Sequence, residues 1–178
     1  MFDPTKRKGE FKLMINLLKP FNIKFVITII VCTITLGALS GCFGKKESVN
    51  SLSATEIGEK IKHVTNLEEM KEGDSKKLQK LYNINADEVE SFVLYTAPTN
   101  IKADEIVVMK VKDKKNVERI KEKISNRIEK KSKSFKDYLP EEYFLIEKRV
   151  LKTKDNYILL AISKDADKIE KTFDEIFK

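Results

Sequence analysis

An uncharged apolar run, Phe25–Ala38, divides this 178-residue chain and limits what each side of it can become. Before it lies a basic leader, residues 1–24, carrying Lys6, Arg7, Lys8, Lys12, Lys19 and Lys24. A basic segment, an apolar segment and a small-residue ending at Gly37 and Ala38 form the pattern of a secretory signal. A membrane-spanning helix needs roughly 20 apolar residues, and this run is shorter. The leader's positive charges hold it on the cytoplasmic side while the remainder crosses. We therefore expect a signal helix over residues 1–41, a flexible tether over 42–52 and a single globular domain over 53–178.

Leu39-Ser40-Gly41-Cys42 follows the run directly and resembles the lipobox of bacterial lipoproteins. Leu39 fills the large apolar position, Ser40 and Gly41 the small ones, and Cys42 supplies the thiol. The resemblance implies a thioether-linked diacylglycerol on Cys42, with acyl chains such as palmitate. It also implies cleavage between Gly41 and Cys42, and a lipid-anchored location on the outer face of the cell membrane. The chemistry agrees, because small residues let a peptidase approach the backbone and a thiolate is the nucleophile that alkylation requires. Each buried CH₂ contributes about 0.8 kcal/mol, so two acyl chains hold a protein where one does not. The alternative is an uncleaved signal anchor in which Cys42 is only an apolar end residue. Phe43 to Ser51 has no periodicity, and as a coil it stands the domain off the bilayer by roughly 20 Å.

The net charge of +7 is concentrated at the start of the chain. The leader takes six of the 35 basic residues against only Asp3 and Glu10, which leaves Cys42–Lys178 nearly balanced. A nucleic-acid partner is not expected, since that reading needs a strongly basic domain with interleaved aromatics. Cys32 leaves with the signal and Cys42 becomes the lipid site, so neither a disulfide framework nor a cysteine metal site can form.

The rest of the chain reads as α+β in the order α-α-β-β-α-β-β-α, a mainly antiparallel four-stranded sheet with packed helices. Ser53 and Glu56 fit a capping box and open a helix through about Met70, with Ile57, Ile61, Val64 and Met70 inward and Leu67 near the same line. Gly73 ends it, and Asp74 starts a short helix with Leu78, Leu81 and Tyr82 inward. Val89–Ala97 and Glu105–Lys112 read as a hairpin around Pro98-Thr99-Asn100, with Val107, Met109 and Val111 on one face. A long helix runs from Asp113 to about Leu139, where Pro140 stops it. Its apolar stripe is Val117, Ile120, Ile124, Ile128, Phe135 and Tyr138. Tyr143–Leu151 reads as a third strand and Tyr157–Ser163 as a fourth, apolar on both faces and so central. Asp165 caps a last helix with Ala166, Ile169, Phe173, Ile176 and Phe177 inward.

Three stretches also resemble a family of domains of unknown function found in lipoproteins and membrane-anchored proteins of Gram-positive bacteria. They are Ala103-Asp104-Glu105-Ile106, Ser134-Phe135-Lys136-Asp137-Tyr138-Leu139-Pro140, and Asn156 through Ser163. The resemblance covers roughly Ala54 to Lys178 and implies no established activity.

No pattern of catalysis, metal binding or cofactor binding emerges. His63, the single histidine, has no partner at metal-ligand spacing. Glu68, Glu69, Glu72 and Asp74 lack the register and turning glycine of a calcium loop. Glu141 and Glu142, read as extended, point to opposite faces and are poor partners for each other. Asp165 and Asp167 are explained by helix capping. No serine sits in a nucleophile motif and there is no glycine-rich phosphate loop.

The feature above this background is the basic helix 113–139. Lys123, Arg127, Lys130 and Lys131 on it are candidates for contact with a polyanion. We therefore expect a non-enzymatic interaction module of the cell envelope, anchored to membrane lipid through Cys42. One alternative binds anionic wall polymer or lipid head groups through the basic helix; an envelope protein is another candidate partner. A third is a hydrolase or transferase with an atypical carboxylate site.

Overall fold

The computed structural model describes residues 52–178; the expected signal helix, the lipobox with Cys42, and the tether up to Ser51 lie outside the described residues. Helix α1 (Ala54–Lys62) opens on the expected capping box. Ser53 Oγ accepts from the Glu56 N–H at 3.2 Å, and the Glu56 carboxylate accepts from the Ser53 N–H at 2.6 Å. The helix ends at Lys62 and not near Met70. Asn66 Oδ1 accepts from the Glu68 N–H at 2.8 Å, a local turn that competes with helix continuation.

The chain then straightens into β1 (Lys71–Glu72), which pairs antiparallel with Thr96 and Tyr95. Gly73 permits this approach. Its N–H donates to the Leu94 carbonyl at 2.7 Å, and a Cβ there would lie 2.6 Å from Leu94 Cδ2. Among the described residues the sheet thus has five strands where four were expected. A two-residue edge strand carries too little periodicity to be read from sequence.

Helix α2 (Ser75–Tyr82) starts at Asp74, whose side chain accepts from the Lys77 N–H, and ends at Asn83 in the left-handed region. Strands β2 (Val89–Thr96) and β3 (Glu105–Val111) form the expected hairpin, and helix α3 (Val117–Phe135) follows. The expected third strand, Tyr143–Leu151, is mostly a helix, α4 (Pro140–Glu147), and strand β4 begins only at Val150 (Val150–Lys154). Pro140 does not merely stop the preceding helix. It occupies the first turn of the next one, where its missing N–H costs nothing. Strand β5 (Tyr157–Ile162) and helix α5 (Ala166–Ile176) complete the order.

The sheet order is β1-β2-β3-β5-β4 with every pair antiparallel, an α+β architecture. Each face of the sheet has its own core. Val107, Met109 and Val111 point with Ile158 and Leu160 against α2, α3 and α4. Ile106 and Val108 point with Leu159 and Ala161 against α1 and α5. β3 and β5 are buried along their whole length, as the two-sided apolar run of β5 requires. The α3 stripe is buried as expected from Val117 to Phe135, but Tyr138 lies beyond the helix and is 82 % exposed.

Candidate functional site

Glu105 begins β3 on the face that carries Val107 and Met109, so its carboxylate enters the core and must find donors there. It is fully buried. Arg127 and Lys131, one helical turn apart on α3, reach down to it. Arg127 donates from Nε to Oε1 at 3.2 Å and from Nη2 to Oε2 at 2.9 Å, and Lys131 Nζ donates to Oε2 at 2.7 Å. The Tyr82 hydroxyl on α2 donates to Oε1. Burial by itself raises the Glu105 carboxyl, but the Arg127 hydrogen bonds and the Lys131 charge outweigh it and hold the group at about 2. Two cations around one carboxylate leave a net positive charge at this point.

That charge forms the floor of a cleft of about 460 Å³. Its walls come from β1, α2, the β2–β3 turn and α3, which bring Lys71, Lys77, Lys102 and Lys130 to the same hollow. Among the described residues, six cations therefore line a space in which Glu105 is the single carboxylate. Lys102 is paired with Glu142 at 2.7 Å, and Lys77 Nζ donates to Thr96 Oγ1 at 2.6 Å. Neither Lys71 nor Lys130 has an anionic partner among the described residues. A cleft whose lining carries a large excess of one sign of charge, with low-dielectric walls, focuses its field on whatever enters. What it can do chemically is hold an anion.

The four cations singled out on the basic helix separate here. Arg127, Lys130 and Lys131 line the cleft, but Arg127 and Lys131 are its floor, bound inward to Glu105. Lys123 lies apart, donating to Glu88 at 3.1 Å and to the Asn83 carbonyl at 2.7 Å. The sequence reading missed Lys71, Lys77 and Lys102, which other elements supply. It also passed over Glu105, although a carboxylate heading an otherwise apolar strand announces a buried partner.

The remaining candidates have structural employment or open surroundings. Glu142 lies in the first turn of α4, where it accepts from the Ala103 N–H and from Lys102, both at 2.7 Å. With Asp104 and Ser163 it lines a second hollow of about 360 Å³. Burial there raises the Asp104 carboxyl. His63 borders an open hollow beside Thr65, Tyr95 and Asp165. Asp165 heads α5, but its carboxylate bonds Thr65 and Lys168 instead of capping the helix. Among the described residues no group of carboxylates, histidines and cysteines is arranged to hold a metal ion.

The family described as Domain of unknown function (DUF4358) matches residues 63–163, a span that contains the whole cation-lined cleft. No curated protein and no solved structure matches the chain.

Proposed function

This chain belongs to the DUF4358 family, whose domain has no assigned function, and we propose that it is a non-enzymatic interaction module that binds an anionic ligand in this cleft. The observation that carries the reading is the arrangement around Glu105. Four elements deliver six cations to one hollow; Arg127 and Lys131 neutralise the buried carboxylate and Lys102 pairs with Glu142, which leaves Lys71, Lys77 and Lys130 without an anionic partner among the described residues. Like charges brought together destabilise a fold unless something offsets them. An anionic ligand is the natural counter-charge. In this proposal the module is a cell-surface lipoprotein, held on the outer face of the cell membrane by the acylated Cys42. The lipobox resemblance supports that placement.

The test is a titration of the full chain, in non-ionic detergent, with inorganic pyrophosphate as the probe. The NMR signals of the lysine ε-methylenes report each ammonium group. Lys71, Lys77 and Lys130 are expected to shift first, while Lys114 and Lys168, paired with Asp155 and Asp165 away from the cleft, stay in place. Added salt should weaken the response by screening. A uniform response over all lysines, or none, overturns the cleft as an anion site.

A further inference from the structure

We propose that the anion is the phosphate of membrane lipids, and that the module rests cleft-down on an anionic bilayer with Ile101 and Tyr138 in the head-group layer. This rests on the reading of the cleft as an anion site and names its partner. Among the described residues, three large apolar side chains are mostly exposed: Ile101 at 64 %, Tyr138 at 82 % and Phe144 at 54 %. Two of them adjoin the cleft lining along the chain: Ile101 sits between Asn100 and Lys102, which both line it, and Tyr138 follows Ser134 and Phe135, which line it as well. The Tyr138 N–H bonds the Phe135 carbonyl at 3.2 Å, which keeps the tyrosine within a turn of that wall. Phe144 stands on α4, the helix that Glu142 fastens to Lys102 at the cleft.

A soluble anion or a wall polymer needs the cations but gives no role to an apolar rim. A bilayer surface needs both. Lysines at its surface meet lipid phosphates, tyrosine favours the head-group level, and an aliphatic tip enters the acyl boundary. The long stems of Lys71 and Lys130 can lie along that rim while their ammonium groups reach the phosphates.

The chain contains no tryptophan, so Ile101→Trp places a single reporter on the rim, where the exposed side chain can be replaced without touching either core. The full chain carrying this substitution is reconstituted in nanodiscs of phosphatidylcholine, with or without phosphatidylglycerol, and with acyl chains brominated or plain. The expected result is a blue-shifted emission that brominated lipid quenches, strongly with phosphatidylglycerol and weakly without it. Adding Lys71→Gln, Lys77→Gln and Lys130→Gln should abolish the quenching while circular dichroism stays unchanged. Absence of quenching on every composition overturns the lipid assignment, as does quenching that survives the three glutamines. Pyrophosphate shifts at the cleft lysines without quenching would leave the anion site standing and remove the bilayer, and soluble poly(glycerol phosphate) binding in its place would identify a wall polymer. Failure of both experiments would remove the site itself.

Discussion

Glu105 shows how one side chain can serve both fold and site. Its carboxylate accepts from Tyr82, Arg127 and Lys131 and has no exposed surface. Removing only its charge leaves two cations without compensation beneath the cleft. Glu105→Gln is therefore expected to cost about 3–5 kcal/mol in urea unfolding, the range for breaking one side of a buried ion pair. The pH dependence follows from the same bonds. Because the folded carboxyl titrates at about 2, below its ordinary 4.5, its stabilisation is complete above pH 4.5 and disappears as the pH falls towards 2. Unfolding measured across that window should fall steeply in the native chain and less steeply in the Glu105→Gln chain. Equal slopes would mean that another carboxylate controls the acid side.

At the scale of elements, α4 was the segment hardest to read. Tyr143-Phe144-Leu145-Ile146 is a continuous apolar run, and such a run does not distinguish a strand from a short helix. The deciding contacts are remote in sequence: Glu142 accepts from the Ala103 N–H and from Lys102, some forty positions back. Glu142→Ala leaves the buried Ala103 N–H without that acceptor, which should cost about 1–3 kcal/mol. Hydrogen exchange at Ala103 checks this, with protection lost there while β5 amides keep theirs. Long amphipathic elements were legible: α3 buries its stripe from Val117 to Phe135 and α5 buries Ala166, Ile169 and Phe173, although Tyr138 beyond α3 is exposed and Ile176 and Phe177 are only half-buried. The edge strand β1 was not, because Gly73 and Leu94 must meet before two residues become a strand. The cleft was half legible for the same reason. Three of its cations share α3, whereas Lys71, Lys77 and Lys102 join them only through the pairing of β1, the packing of α2 and the β2–β3 turn.

For the whole molecule, the proposed bilayer contact and the proposed lipid anchor are separate claims that must be separated by experiment. Leu52, the first described residue, is already held by the domain, its carbonyl accepting from the Tyr157 hydroxyl at 2.6 Å. In the proposed anchored arrangement, a tether would keep the cleft at high effective concentration relative to the membrane, so that even a weak head-group contact becomes populated. Cys42→Ala tests the anchor without touching the cleft. Fractionation alone does not decide the matter, because the apolar run Phe25–Ala38 remains in the unprocessed chain and can retain it at the membrane. Incorporation of a fatty-acid probe is the discriminating readout. The native chain is expected to take up label and the Cys42→Ala chain to take up none, with the urea transition of the domain unchanged. Equal label in both would place the acyl chains elsewhere, and the cleft and its apolar rim would then carry the membrane contact without help from Cys42.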